Sequence, residues 1–132
     1  MKYLLDTHTW IWWHMNPQNL SQKVKRLIRD TSKYDELLLS AISPWEFSKL
    51  LEKKRIGISC DPEDWINRAL DMPKLRLVPL SPVLAYHSTV LPQPFHNDQA
   101  DQIIVASARE ENAAILTKDE RILIYKHVRS LW

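Results

Sequence analysis

The amino-acid sequence predicts an α/β protein, a three-layer α/β/α sandwich with a central parallel sheet. Short apolar runs of strand length alternate with segments of helical periodicity along the chain. Strands that are separated by helices are typical of a parallel sheet with helices on both faces. The length of 132 residues suits a single domain, residues 1–132, and we find no linker, repeat or low-complexity segment.

Five apolar runs are the predicted strands. Each is short, and the first four end abruptly at polar or turn-forming residues, as buried strands of a parallel sheet do. The fifth run is less apolar, so we expect it at an edge of the sheet. The runs cover residues 2–5, 36–42, 75–80, 113–116 and 127–131.

The predicted helices are marked by their first residues. Ser, Thr, Asp or Asn directly before an amphipathic run is typical of an N-cap, and proline favours the first helical position. On this basis we predict helices over residues 9–15, from Ser21, over 44–55, from Asp61 through Leu70, from Ser81 to before Pro92, from Asp98, and over 119–124.

Composition excludes several classes of protein. The net charge of +2 does not by itself indicate a nucleic-acid partner, so any basic surface must be local. Cys60 is the one cysteine, which excludes an internal disulfide, and Gly57 is the one glycine, which excludes a glycine-rich phosphate loop. An acid at Asp6 argues against a signal peptide, and no apolar run could span a membrane. We therefore expect a cytoplasmic protein.

Carboxylates recur where the predicted strands end. Asp6 follows the first strand, Glu46 the second and Asp119 the fourth, while Asp98 and Asp101 begin the helix that precedes the fourth strand. The carboxyl ends of parallel strands share one sheet edge, so these acids should meet there. Two carboxylates about 5 Å apart repel by roughly 3 kcal/mol at an effective dielectric constant near 20. Such a cluster favours Mg²⁺ or Mn²⁺, which can promote phosphodiester hydrolysis.

Each acid also has a purely structural interpretation. Asp6 could be a solvated turn residue, and Asp98 and Asp119 could be N-caps. Ser43-x-x-Glu46, with Pro44 between them, fits a capping box that would explain Glu46 fully. His96 fits a loop or core histidine as well as a site residue. Lys49 and Lys53 could simply lie on the solvent-exposed face of a helix, or they could bind the phosphates of a nucleic-acid backbone.

The motifs together resemble the PIN-domain ribonucleases, most of all the VapC-type toxins of bacterial toxin–antitoxin pairs. The similarity runs from Lys2 to about Tyr125. Its motifs are Leu4-Leu5-Asp6-Thr7-His8, Ser43-Pro44-Trp45-Glu46, His96-x-Asp98-x-x-Asp101 and Leu116-Thr117-x-Asp119. The resemblance implies a Mg²⁺ or Mn²⁺ site, cleavage of single-stranded or loop RNA, a homodimer and a small antitoxin.

The resemblance also assigns roles to residues. Asp6, Glu46, Asp101 and Asp119 match the family's acidic quartet, with Asp6, Asp101 and Asp119 as the metal ligands. Asp98 matches an additional acid, and Thr117 and His96 match supporting positions. The chain has Gln99 and Gln102 where the subgroup usually has proline and arginine.

Three tryptophans follow the first strand closely. Trp10, Trp12 and Trp13 lie within four residues, and a helix turns about 100° per residue, so they cannot all face one core. Given the resemblance, we expect this segment to line a groove for an antitoxin or a homodimer contact. Trp45 is expected in the core or in an interface.

The sequence thus predicts a metal-dependent endoribonuclease toxin of a type II toxin–antitoxin system. Three alternatives stay open. One is an aspartyl phosphatase or phosphotransferase that uses Asp6 as its nucleophile, the second is a catalytically weak PIN fold that only binds a partner, and the third is a structure-specific DNA nuclease.

Overall fold

The computed structural model of the protein describes residues 1–30 and 35–132. Within these ranges five strands form one sheet: β1 (Lys2–Leu5), β2 (Glu36–Ser40), β3 (Leu75–Val78), β4 (Ala114–Leu116) and β5 (Arg129–Leu131). Their order is β3-β2-β1-β4-β5, and every neighbouring pair is parallel. The predicted parallel sheet is confirmed, with the fifth strand at an edge.

Seven α-helices surround this sheet in the described part of the chain. They are α1 (Thr7–Met15), α2 (Gln22–Arg29), α3 (Ile42–Glu52), α4 (Pro62–Leu70), α5 (Pro82–Thr89), α6 (Gln99–Glu111) and α7 (Glu120–Leu123). A short 3-10 helix, Pro17–Asn19, follows α1. Side chains that accept a backbone N–H at the N-cap begin five of the helices as predicted, namely Ser21, Asp61, Ser81, Asp98 and Asp119.

The two faces of the sheet carry separate hydrophobic cores. Leu4 and Leu38 face helices α5, α6 and α7, whereas Leu5 and Leu39 face helices α1 to α4. Successive strand residues point to opposite faces, so an unbroken apolar strand supplies both cores at once. This confirms the three-layer sandwich. In the described ranges, every helix is too short or too polar to cross a membrane.

Several predicted boundaries differ from the structure. Strand β2 ends at Ser40, whose hydroxyl accepts the Ile42 N–H (3.2 Å), and α3 starts at Ile42, two residues earlier than predicted. Strand β3 likewise ends at Val78. Helix α1 begins at Thr7 because Asp6 is its N-cap, and α3 ends at Glu52 rather than near residue 55.

The core on the α1–α4 side contains a cluster of aromatic rings that should dominate its stability. Phe47 is fully buried and stacks on Trp65, with ring centroids 4.1 Å apart, and Trp10 meets both rings edge-on. We predict that Phe47→Ala lowers the free energy of unfolding by about 3–5 kcal/mol. Urea denaturation would measure this. Leu77→Ala, at an exposed strand position, should cost much less, and equal losses would contradict the prediction.

Candidate active site

The ends of β1 and β4 are joined by one threonine. The carboxylate of Asp6 accepts the Thr7 N–H on Oδ1 (2.8 Å) and the Thr117 hydroxyl on Oδ2 (2.6 Å). The Thr117 oxygen in turn accepts the Asp119 N–H (3.0 Å). Because β1 and β4 are neighbours, Thr117 holds Asp6 and the Asp119 loop together. Asp119 itself caps α7 through the Arg121 N–H (2.8 Å).

Glu46 enters the same site from the first turns of α3. The Thr7 hydroxyl donates to Glu46 Oε1, and Thr7 lies 2.8 Å from the Ser43 hydroxyl. Thr7 has a single hydroxyl proton, so Ser43 must donate to Thr7. The capping-box interpretation of Ser43 and Glu46 is therefore wrong, because α3 has already begun at Ile42 and both side chains point to the end of β1.

The beginning of α6 brings two further acids. Asp98 Oδ1 accepts the Asp101 N–H (2.9 Å), so Asp98 is the N-cap, and the buried Asp101 carboxylate contacts His96 Nε2 at 2.7 Å. The Gln102 amide donates to the His96 carbonyl (3.0 Å), which fixes the segment that returns from α5 to this edge. Gln102 thus supports the position of His96.

Arg121 brings a cation to the site that the sequence analysis missed. Its Nη2 lies 3.2 Å from Asp119 Oδ2 and 3.4 Å from Asp101 Oδ2, so the guanidinium bridges two acids of different elements. Residue 102 is glutamine rather than the arginine that the resemblance led us to expect, and Arg121 supplies a positive charge beside Asp101. A basic residue two positions after a helix-capping acid was the only signal in the sequence.

Two small hydroxyl residues were also missed. Thr7 and Ser43 are buried and form the link to Glu46. Thr7 directly follows the acid at the end of β1, which was a usable signal. Ser43 was instead interpreted as a cap, because Ser-Pro-x-Glu is a typical start of a helix.

Burial and mutual repulsion shift the titration of these acids. Burial, followed by neighbouring carboxylates, raises the pKa of Glu46 to about 7 against the hydrogen bond from Thr7. Burial likewise raises the pKa of Asp101 to about 6 despite the His96 contact, and it raises the pKa of Asp6. Burial also opposes ionisation of Asp119, but the hydrogen bonds from Arg121 hold its pKa below the ordinary value.

The donor set fits a hard divalent cation. We define the acid cluster as Asp6, Glu46, Asp98, Asp101 and Asp119; all five offer carboxylate oxygens, the ligands that Mg²⁺ and Mn²⁺ prefer. Burial, and after it the charge of neighbouring carboxylates, raises the pKa of Asp6, Glu46 and Asp101, so a bound cation would favour their ionised forms. Among the described residues, no three His, Cys, Asp or Glu side chains already form a closed metal-binding group. Side-chain rotations would therefore accompany binding.

A groove of about 510 Å³ leads to Glu46 between α3 and the start of α6. Lys49, Lys53 and Arg55 line it, so we call it the basic groove. Lys49 also pairs with Glu52 (3.2 Å) and lies 5.8 Å from the centre of the Trp45 ring. Trp45, expected in the core or in an interface, is 53% exposed and lines this groove.

The three tryptophans of α1 differ in exposure. Trp10 is fully buried and its indole N–H donates to the Ala69 carbonyl (3.3 Å), so the prediction that it lines a groove for a partner is wrong. Trp12 and Trp13 are half-buried, and Trp12 packs edge-on against Trp132. The prediction that the three cannot all face one core is also wrong, because Trp12 and Trp13 pack against the core that contains Trp10 and leave only part of their surface open.

Comparison with known proteins gives a consistent match. The PIN domain family profile matches residues 3–128. Ribonuclease VapC22 from Mycobacterium tuberculosis (strain ATCC 25618 / H37Rv) is 34% identical over 126 residues, which cover 96% of this chain and 93% of that protein.

Solved structures share the fold at lower identity. VapBC2 from Rickettsia felis, crystallised with a DNA fragment from its promoter, superposes with a TM-score of 0.67 at 16% identity, covering 99% of this chain and 98% of that one. A toxin–antitoxin complex from Klebsiella pneumoniae gives a TM-score of 0.64 at 19% identity, covering 96% and 94%. At these identities the likeness shows the fold.

The raised pKa values predict how stability depends on pH. The folded chain binds protons at Glu46 and Asp101 more tightly than the unfolded chain does, so these groups destabilise the fold as pH rises through their raised pKa values. With chelator present, the melting temperature should fall by several degrees from about pH 4.5 to about pH 7.

Two variants separate this effect from other titrations. Glu46→Gln should flatten the decline in melting temperature measured by differential scanning calorimetry. Glu52→Gln, on the same helix but paired with Lys49 outside the acid cluster, should leave the decline unchanged. Identical pH profiles for the unsubstituted chain and Glu46→Gln would contradict the prediction.

Proposed function

The chain belongs to the PIN domain family, and on that premise we propose that it is a metal-dependent endoribonuclease that cuts single-stranded or loop RNA. We propose further that it is a homodimeric, single-domain toxin (residues 1–132) that acts on RNA in the cytoplasm. The observation that carries the proposal is the convergence of Asp6, Glu46, Asp101 and Asp119 at one sheet edge.

Asp6, Asp101 and Asp119 would hold Mg²⁺ or Mn²⁺. When bound, the cation supplies positive charge for the negative charge that develops on the phosphodiester. Thr117 keeps Asp6 and the Asp119 loop in register through its two hydrogen bonds. Asp98 fixes the first turn of α6, and His96 holds the Asp101 carboxylate in one orientation.

Glu46 would accept a proton from the attacking water. Its pKa of about 7 suits a general base near neutral pH, because the base must be ionised at rest yet able to hold a proton. The hydroxyl of Thr7, which itself accepts a hydrogen bond from Ser43, fixes Oε1 and leaves Oε2 for the water. Water then attacks phosphorus, the bond to the leaving oxygen breaks, and solvent protonates that oxygen.

The RNA backbone would approach along the basic groove. Lys49, Lys53 and Arg55 place positive charge on the side of Glu46, although the chain as a whole carries only +2. Backbone phosphates bind such local charge independently of sequence. The exposed Trp45 in the same groove offers a face for stacking.

A small antitoxin is the proposed partner. The relative named above is a VapC ribonuclease, and the structural matches include VapBC2 and a toxin–antitoxin complex. Trp12 and Trp13 are partly open on α1 and would contact an apolar antitoxin segment. A basic antitoxin side chain could then enter the acid cluster, where Arg121 already pairs with Asp101 and Asp119.

The phosphotransfer alternative has less support. The side chain of Asp6 is buried and both of its oxygens accept hydrogen bonds, which lowers their nucleophilicity towards phosphorus but leaves a lone pair on each for a cation. Phosphorylation of Asp6 by a low-molecular-weight phosphodonor, detected by mass spectrometry, would favour that alternative.

The first test concerns the metal. Because the acid cluster is repulsive, Mg²⁺ or Mn²⁺ should raise the melting temperature by several degrees over chelator, and Asp101→Asn should remove most of that rise. The same variant should lower cleavage of single-stranded RNA by at least about 100-fold, as expected when one ligand of a catalytic metal is lost.

Glu63→Gln, an exposed acid in the first turn of α4, is the matched control and should keep both the metal response and the activity. Equal melting temperatures with metal and with chelator would count against the metal site. A strong metal response without cleavage of any RNA would favour the catalytically weak PIN fold that only binds a partner. Cleavage of DNA in preference to RNA would favour the DNA nuclease.

The second test concerns Glu46. If Glu46 handles the attacking water, Glu46→Gln should abolish RNA cleavage, by about 10²–10⁴-fold, while the circular-dichroism spectrum and the melting temperature show an intact fold. The amide keeps the acceptor for the Thr7 hydroxyl but cannot take a proton. Retained cleavage by Glu46→Gln would remove Glu46 from the mechanism.

A further inference from the structure

We infer that a cavity beside the acid cluster binds one unpaired base of the RNA, next to the phosphodiester that is cut. The inference rests on the proposed ribonuclease function and adds to it a site for part of the substrate. The cavity lies between residues 94–96 and residues 121–127 and is lined by other residues than the basic groove. We call it the ring cavity.

The size and lining of the ring cavity suit a flat apolar ligand. Its volume is about 560 Å³, which lies in the range of roughly 300–1,000 Å³ for small-molecule sites. Ile124 forms one wall and is 78% exposed, the highest value among the large apolar side chains of the described residues. Phe95 forms another wall and packs against the core beneath it. The apolar surface of the cavity is thus exposed to solvent at Ile124 and rests on the packed core at Phe95.

Aromatic rings line the cavity in an unbroken row. His96 lies 4.2 Å from Phe95, Phe95 lies 4.7 Å from Tyr125, and Tyr125 lies 5.4 Å from His127, measured between ring centroids. The Tyr125 hydroxyl donates to the Pro92 carbonyl (2.6 Å), which fixes its ring. Unpaired bases bind by stacking on rings of this kind, whereas paired bases are not available for it.

The ring cavity is continuous with the acid cluster. His96 lines the cavity and contacts Asp101, and Arg121 lines the cavity and pairs with Asp101 and Asp119. A phosphodiester at the acid cluster therefore has its adjoining nucleoside next to the cavity, because the same two side chains contact the acids and line the cavity.

Charge favours RNA over an apolar protein segment as the occupant. Arg121 and Lys126 line the ring cavity together with two histidines, and none of the described residues that line it is an acid. A phosphate chain gains from these cations, and a guanidinium also stacks on bases. The ring cavity meets the acid cluster at Asp101 and Asp119, through His96 and Arg121, and the basic groove meets it at Glu46 and Asp98, so a single strand that spans the cluster can contact both.

Binding of RNA with and without bases tests this inference. The probe is a fluorescein-labelled single-stranded RNA dodecamer of randomised sequence, and the comparison probe is the same backbone with abasic riboses. Binding is measured by fluorescence anisotropy in Mg²⁺. The parent is the Glu46→Gln chain, and every further variant is made in it. Phe95→Leu and Ile124→Ser should each weaken binding of the base-bearing pool by about tenfold. Neither should change the affinity for the abasic backbone.

Val83→Ser is the matched control. Val83 is 59% exposed and lines neither the ring cavity nor the basic groove, so this variant should bind both probes as the parent does. If Phe95→Leu unfolds, Ile124→Ser still tests the site, because its side chain is mostly in solvent. Each variant is also examined for dimerisation by analytical ultracentrifugation.

The outcomes separate the inference from the proposed function. If the unsubstituted chain cuts RNA and Ile124→Ser binds both probes unchanged, the base site is wrong and the ribonuclease stands. If Ile124→Ser weakens the dimer and not RNA binding, the ring cavity is a protein contact and the inference is overturned. If the unsubstituted chain neither binds nor cuts RNA, both fail.

Discussion

Electrostatic repulsion among carboxylates at one sheet edge is the constraint on which the rest of this structure depends. The parallel topology sends the residues after β1, β2 and β4 to the same edge, and α6 starts there as well. Burial makes the ionised forms costly, as the raised pKa values of Asp6, Glu46 and Asp101 record. A folded chain keeps such a cluster only with compensating groups or a cation.

The compensating groups come from every element around the cluster. The Thr7 hydroxyl donates to Glu46 on α3, and the Thr117 hydroxyl donates to Asp6 after β1. Asp98 and Asp119 cap the N-termini of α6 and α7. Arg121 contributes the guanidinium charge. Two separate cores hold the sheet from both faces, so these side chains have little freedom to move apart. These hydrogen bonds, helix caps and ion pairs thus hold the acid cluster in place despite the repulsion between its carboxylates.

The surfaces beside the acid cluster follow from the same arrangement. Helix α3 starts at the acidic edge and runs away from it, so its lysines line a groove that ends at Glu46. The segment that returns from α5 to α6 carries aromatic rings to the cavity next to Arg121. A modest net charge of +2 is therefore compatible with RNA binding, because the cations are concentrated on both approaches to the acids.

The fold class, the order of the strands and helices along the chain, and five of the helix starts could all be predicted from the amino-acid sequence. Strand and helix periodicity and N-caps are written within a few neighbouring residues, so they can be interpreted locally. Parallel topology then followed, and with it the expectation that Asp6, Glu46, Asp101 and Asp119 meet.

The partners of those acids could be identified only from the tertiary structure. The pairing of Glu46 with Thr7, the bridge made by Arg121, the support of His96 by Gln102 and the opposite exposures of Trp10 and Trp45 all depend on contacts between distant parts of the chain. Such contacts are set by the packing of whole elements against each other, which local patterns do not encode.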